Sequence, residues 1–320
     1  MTKTPKVNNR KVAIIGCGFV GSATAFALMQ SGLFSEMVLV DVNHQKAEGE
    51  AMDISHGEAY ARPMNIYAGN YDDIADAAII IITAGANQKP GETRLDLVQK
   101  NVGIFKTIIP EIAKRNYQGI LLIVANPVDI LTYQFVKTSG IPANRIFGTG
   151  TLLDTARFRA RIAETYKVGA TNVHGYVFGE HGDSSFVPWS LANIGSIPVD
   201  NFAKSFTGEK LPDFDKNDVE DYIRKSGGII INAKKFTNYG IAVTTASLVE
   251  ALNYNTDSVL TISSMLDGEY GIKDVCLSIP TVIGGNGIKG RIEAPLTDAE
   301  VESLRHSAEC LKDVIKQVKF

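Results

Sequence analysis

Short apolar runs alternate with amphipathic stretches through the first half of the chain. The runs "KVAIIGCG" (11–18), "MVLVDV" (37–42), "NIYAGN" (65–70), "AAIIIITAG" (77–85), "GILLIVAN" (119–126) and "RIFGTG" (145–150) read as strands. Several are apolar without a break over four to seven residues, the pattern of strands covered on both faces. Residues 20–32, 45–60, 93–116 and 128–139 read as helices between them. In "ANPVD", Asn126 is the expected cap and Pro127 the first helical residue. Strand-helix alternation of this kind predicts an α/β fold with a doubly wound parallel sheet.

The pattern changes after Thr151. A helix over 151–166 precedes "NVHGYVFGEH", which reads as a strand; residues 226–252 are mostly helical, 270–295 read as strands joined by "GGNG", and 297–319 as a last helix. Two domains are therefore expected, a first over 1–149 and an α+β second over 150–320, and 320 residues suffice for both cores.

Composition narrows the field by exclusion. With 45% hydrophobic and 21% charged residues and a net charge of −3, the chain offers no basic face, so no nucleic-acid partner is expected. Cys17, Cys276 and Cys310 are dispersed and odd in number, which favours a reducing, cytoplasmic setting over a disulfide framework. The five histidines form no metal-binding pattern, so no metal is expected. Lys3, Lys6, Arg10 and Lys11 before an apolar stretch ending in "AFA" imitate a secretory signal. Against that, the stretch carries three regularly placed glycines and runs straight into another strand. No other segment is apolar enough to span a membrane.

Those glycines form "GCGFVG", directly after a strand and opening a helix. Gly16 permits a tight turn, Gly18 lets backbone approach a pyrophosphate, and Gly21 lets helix and strand pack closely. Asp41 ends the next strand, 20 residues beyond Gly21, where a carboxylate holds the adenosine ribose hydroxyls and repels a 2′-phosphate. This is a Rossmann-type nucleotide site that prefers NAD to NADP.

Chemistry gathers around "GEHGDSS" and "TLLDTARFRAR". His181 stands between small residues and is suited to moving one proton near neutral pH. Asp154 and Arg157, at i and i+3, share a helix face. Asp154 can orient a histidine and stabilise its imidazolium, and Arg157 offers a planar fork for a carboxylate. A third feature is "GANQKPGETRLD" (85–96), where Gly85 and Gly91 act as hinges and Pro90 rules out helix. Gln88 and Arg94 are then polar groups on a segment able to close.

Taken together with "VLVDVN", "VANPVD" and "FTNYGIA", these motifs resemble the bacterial-type L-lactate dehydrogenases of the lactate/malate dehydrogenase family almost end to end. The resemblance implies reversible pyruvate reduction in glycolysis and fermentation, with His181 as proton donor oriented by Asp154. It implies that Arg157 binds the substrate carboxylate, that Arg94 rides on a mobile loop and polarises the carbonyl, and that Asn126 and Thr237 border the substrate. Val20, Gly85 and Asn126 join Gly16, Gly18, Gly21 and Asp41 on the cofactor side. Neutral Gln88 faces the substrate's variable end, leaving a second carboxylate without a partner and so favouring pyruvate over oxaloacetate. A homotetramer is also implied, with Arg159 and His174 matching positions that bind fructose 1,6-bisphosphate in allosteric relatives. Arg159 lies two helical positions from Arg157, and His174 seven strand positions from His181, so each pair is expected to point apart.

Three rivals are weaker. A malate or other 2-hydroxy-acid dehydrogenase shares the fold, but Gln88 argues against malate. "YQFVK" (133–137) has the Tyr-x-x-x-Lys form of short-chain dehydrogenases, a match frequent by chance, beside the wrong glycine spacing. A non-catalytic NAD sensor has no use for His181, Asp154, Arg157 and Arg94 together.

Overall fold

The computed structural model describes residues 6–86 and 91–320. Its first half runs β1 (Asn8–Ile15), α1 (Phe19–Ser31), β2 (Glu36–Val40), α2 (His44–Ser55), β3 (Asn65–Ala68), β4 (Ala77–Ile82), α3 (Arg94–Ala113), β5 (Ile120–Ile123), α4 (Val128–Thr138) and β6 (Ile146–Gly148). All six strands pair in parallel, in the order β6-β5-β4-β1-β2-β3. This is the doubly wound arrangement, and the apolar runs are buried as their composition predicts: β5 entirely, β4 at all but one position. Thr93 opens α3 through a reciprocal capping box with Asp96, which fixes where the helix leaves the loop. The start of α4 differs from expectation by one residue. Pro127 occupies the cap, and the Asn126 side chain reaches forward to accept the Val128 N–H at 3.3 Å.

The second half continues with α5 (Leu152–Tyr166), β7 (Val173–His174), β8 (Asn193–Ile194), β9 (Ile197–Pro198), α6 (Val199–Ser205), α7 (Lys216–Lys234), α8 (Tyr239–Asn253), β10 (Ser258–Asp267), β11 (Lys273–Gly284), β12 (Gly287–Arg291) and α9 (Asp298–Gln317). The large sheet does not stop at β6. Ser263 of β10 pairs with Gly148, and β11 and β12 add antiparallel beyond it, giving nine strands in one sheet. Strand β10 has no counterpart among the expected strands. Its run "SVLTISSMLD" is broken by Thr261, Ser263 and Ser264, all fully buried here, so it lacks the apolar continuity that marks its neighbours.

The expected strand "NVHGYVFGEH" is interrupted. Only Val173 and His174 join a ladder, with isolated bridges at Phe178 and Gly179. Between them the backbone is held by a helix: Val177 donates to Thr155 Oγ1 (3.0 Å), and its carbonyl accepts from Thr151 Oγ1 (2.5 Å). Hydroxyls of Thr151, which caps α5, and of Thr155 within it thus replace a neighbouring strand and draw the segment carrying His181 towards Asp154. His174 and His181 therefore do not lie on one continuous strand, and strand alternation does not set their directions. The mostly helical stretch 226–252 is two helices divided at Lys235, which adopts a left-handed conformation (φ 73°). Thr237 lies in that link.

Two apolar clusters cover the faces of the large sheet, and a third, around Phe158, Val173 and Ile223, joins α5, α7 and the small sheet β7-β8-β9. Among the described residues no helix is long and apolar enough to cross a membrane, and no group of side chains is arranged to hold a metal ion.

Candidate active site

The glycine loop joins β1 to α1. Gly16 has φ +100°, and a Cβ there would fall 2.5 Å from the Ala84 nitrogen. A Cβ on Gly21 would fall 1.9 Å from the Gly16 oxygen, so strand and helix touch as the motif requires. At Gly18, in contrast, a Cβ would meet nothing within 4 Å. Gly18 caps α1 without a side-chain hydrogen bond, and no acidic residue stands in the first turn. The helix end therefore presents backbone N–H groups and positive potential to open space, which suits a pyrophosphate. Asp41 follows β2; its Oδ2 accepts the Cys17 N–H at 2.7 Å and its Oδ1 the Asn43 N–H at 2.9 Å. The carboxylate is thus tied to the loop itself, with further lone pairs for a ribose. These residues fit an adenine dinucleotide. Gly85 lies beyond β4, where a Cβ would meet the side chains of Ala125 and Asn101 at 3.6 Å.

A cavity of about 480 Å³ is lined by Val20 of α1, just beyond this loop, and by Asn126, Arg94, Asp154, Arg157, His181 and Thr237. Asp154 stands in the first turn of α5, its side chain only 6% exposed. Its Oδ2 lies 2.5 Å from His181 Nδ1, and its Oδ1 accepts from Arg157 Nη1 at 2.8 Å. With Nδ1 committed to Asp154, Nε2 is the ring nitrogen left to the cavity. The negative charge of Asp154 raises the His181 pKa above 6.5, outweighing burial, which acts in the opposite sense. Burial alone would push the Asp154 carboxyl up, but His181 and then Arg157 outweigh it and hold Asp154 ionised.

Arg94 is the first residue of α3 and lines the same cavity, 62% exposed. Its guanidinium pairs with Asp183 at 2.8 Å and lies 3.9 Å from Glu180. Gln88 lies outside the described residues. Arg159 does not share the cavity of Arg157. It lines a separate space of about 180 Å³ beside Tyr176, with its guanidinium 5.6 Å from the centre of that ring. His174 is exposed on β7.

Two residues of the site were not expected. Buried Asp129, in the first turn of α4, accepts the His181 backbone N–H at 2.8 Å. Burial pushes its carboxyl up to about 7, outweighing the Ser263 hydroxyl and the His181 N–H, which act in the opposite sense. Asn101, buried in α3, donates to the Asn126 carbonyl at 2.7 Å and accepts the Ala86 N–H at 2.7 Å, pinning two of the loops that frame the cavity. The signal for Asn101 was present, as a polar residue on the helix face shared by Val98, Val102 and Phe105.

Residues 10–148 match the NAD binding domain of lactate/malate dehydrogenases, and residues 151–320 match the alpha/beta C-terminal domain of the same enzymes. The chain belongs to the lactate/malate dehydrogenase family. As a member, it is an NAD-dependent oxidoreductase, and the loop of Gly16, Gly18 and Gly21 with Asp41 fits that cofactor. An L-lactate dehydrogenase of Acetivibrio thermocellus is 50% identical over 307 residues, 96% of either chain. Another, of Priestia megaterium, is 48% identical over 97% of this chain and 96% of its own. The crystal structure of a minor L-lactate dehydrogenase from Enterococcus mundtii in ligand-bound form superimposes with a TM-score of 0.92 at 40% identity, covering 99% of this chain and all of that one.

Proposed function

We propose that this member is an L-lactate dehydrogenase reducing pyruvate to L-lactate reversibly. The observation that carries the reading is one cavity in which Asp154 joins His181 to Arg157 at 2.5 and 2.8 Å, with Val20 of the first turn of α1 in its wall. When bound, reduced NAD supplies the hydride that adds to the substrate's carbonyl carbon. Arg157 holds the substrate carboxylate with its planar fork, and Asp154 fixes both Arg157 and the tautomer of His181. As negative charge grows on the carbonyl oxygen, His181 Nε2 delivers its proton there, and Arg94 adds a cation that is stronger in the transition state than in the ground state. In reverse, neutral His181 takes the hydroxyl proton of lactate. Asn126 and Thr237 border the bound substrate, Asn126 also stands beside the nicotinamide, and Val20 and Gly85 join the cofactor-binding residues. Gln88 selects a methyl over a second carboxylate.

The same reading divides the chain into a NAD-binding domain, 1–149, and a catalytic domain, 150–320, of a cytoplasmic homotetramer working in glycolysis and fermentation. Arg159 and His174 serve fructose 1,6-bisphosphate as an activator, supported by the separation of Arg159 from the catalytic cavity. The test compares kcat/KM for pyruvate and oxaloacetate with NADH at saturating fructose 1,6-bisphosphate. A pyruvate preference of about a hundredfold or more, roughly 3 kcal/mol, is expected. Equal rates or a preference for oxaloacetate would return the chain to the malate or general 2-hydroxy-acid reading.

A further inference from the structure

Three consecutive backbone N–H groups lead the chain into the catalytic imidazole, and each goes to a different element. Gly179 donates to the Ser278 carbonyl of β11 at 3.0 Å, Glu180 to Ser307 Oγ of α9 at 2.8 Å, and His181 to Asp129 Oδ2 of α4 at 2.8 Å. The third partner differs from the other two in where it stands. Asp129 lies in the first turn of α4, three residues beyond Asn126, which lines the catalytic cavity. Asn126 is itself fixed to that turn. Its side chain accepts the Val128 N–H at 3.3 Å, and its carbonyl accepts from Asn101 at 2.7 Å. One short, hydrogen-bonded helix turn therefore joins the Asn126 wall of the cavity to the main chain of His181.

We propose that Asp129 is a positioning residue of the reaction, mounting the main chain of His181 on the helix turn that follows Asn126 so that the proton donor keeps its distance from the nicotinamide side of the cavity. The proposal rests on the dehydrogenase reading above and adds a residue that acts through His181. Asp129 does not line the cavity, and its side chain is buried, at 3% exposure. Asp154 holds only Nδ1 of the ring, so the imidazole can still pivot there if its backbone shifts. A second hold, at the backbone N–H, leaves Nε2 one place to be. Placement of that atom matters, because a displacement of about 1 Å can cost on the order of 100-fold in rate. The groups around the Asp129 carboxyl are Ser263 of β10, Glu180 and His181, with the buried Cys276 thiol of β11 also within its field. Burial pushes this carboxyl up to about 7, so its neutral form is populated near neutrality. A neutral carboxyl can accept from His181 and donate to Ser263. Asparagine can do both, whereas leucine, of similar size, can do neither.

The test follows single turnovers of enzyme-bound NADH with pyruvate in the wild type, Asp129→Asn and Asp129→Leu, so that only chains able to bind cofactor are counted. The leucine variant is expected to lose about 10–100-fold in the saturated rate, with half-saturation by pyruvate moved by less than about threefold. The substrate carboxylate is spared because Asp154 holds Arg157 independently of Asp129. Asparagine should restore the rate to within about threefold of wild type. A leucine variant that melts earlier but turns over its bound NADH at the wild-type rate, as a purely structural role would give, overturns the proposal. So does an asparagine variant as slow as leucine. If the leucine variant yields no NADH-binding protein, Ser263→Ala decides, by removing the hydroxyl on the other side of the carboxyl. A fall of about threefold or more at unchanged half-saturation supports the proposal, and an unchanged rate overturns it. A wild type that binds NADH yet reduces no pyruvate overturns the dehydrogenase reading and this proposal with it, before any substitution is made.

Discussion

Replacing Asp154 by asparagine keeps the shape of the side chain and removes its charge. Asp154 is nearly enclosed and accepts from two cationic partners, His181 Nδ1 at 2.5 Å and Arg157 Nη1 at 2.8 Å. An asparagine has one acceptor oxygen, so one of the two partners must face an NH₂ group instead. If His181 does, the opposite tautomer is favoured, with its proton on Nε2 in the neutral form and no stabilisation of the imidazolium. If Arg157 does, the substrate's carboxylate site is misaligned. Breaking a buried ion pair by removing one member costs about 3–5 kcal/mol, because the partner stays buried without its counter-charge. Allowing about 3–4 kcal/mol of that to reach the transition state, kcat/KM for pyruvate should fall by roughly 10²–10³-fold. The assay is NADH absorbance under saturating cofactor, with thermal melting to confirm folding. Because the raised pKa of His181 depends first on Asp154, the alkaline fall in pyruvate reduction should also move to lower pH in the variant. A folded variant that loses less than about tenfold in kcat/KM, or whose alkaline fall stays where it was, would refute the orienting role.

Other changes probe other parts of the site. Gly21→Ala forces a Cβ towards the Gly16 oxygen, so KM for NADH should rise and melting temperature fall, by about 1–3 kcal/mol of stability; an unchanged melting curve would show that the loop adapts freely. Asp41→Asn keeps an acceptor for the Cys17 N–H but removes the charge, and the NADPH-to-NADH ratio of kcat/KM should rise by about tenfold or more. A constant ratio would remove Asp41 from cofactor choice. Asp129 has a folded pKa of about 7 against an ordinary 3.8, so the folded chain holds a proton that the unfolded chain has lost between those values. Stability contributed there falls as pH rises through that window, and Asp129→Asn escapes the loss. Melting temperatures of wild type and variant should therefore diverge in the variant's favour from acid to mildly alkaline pH, and parallel curves would contradict the buried proton.

The first half of the fold was legible because buried parallel strands are written as unbroken apolar runs, as "AAIIII" of β4 and "ILLI" of β5 are. Strand β10 was illegible for the same reason. Its buried Thr261, Ser263 and Ser264 interrupt the run, and their burial depends on sheet neighbours far away in sequence. The segment between His174 and His181 misled, because its backbone is satisfied by Thr151 at the cap of α5 and Thr155 within it, partners that no local pattern announces. At the site, Asp154, Arg157 and His181 could be read from spacing and motif, and they do converge on one cavity. Asp129 could not, since an acid in the first turn of a helix looks like a favourable end charge until the fold closes over it.

The central claim is that His181, held by Asp154, supplies the proton to a 2-oxo acid, and the pH dependence of kcat/KM for pyruvate in the wild type addresses it most directly. The carboxylate of Asp154 raises the His181 pKa, so the protonated donor persists above the ordinary 6.5. Pyruvate reduction should hold steady through neutrality and then fall by about tenfold per pH unit above the raised value, while lactate oxidation rises over the same range. A flat profile, or a fall centred below 6.5, would contradict the account.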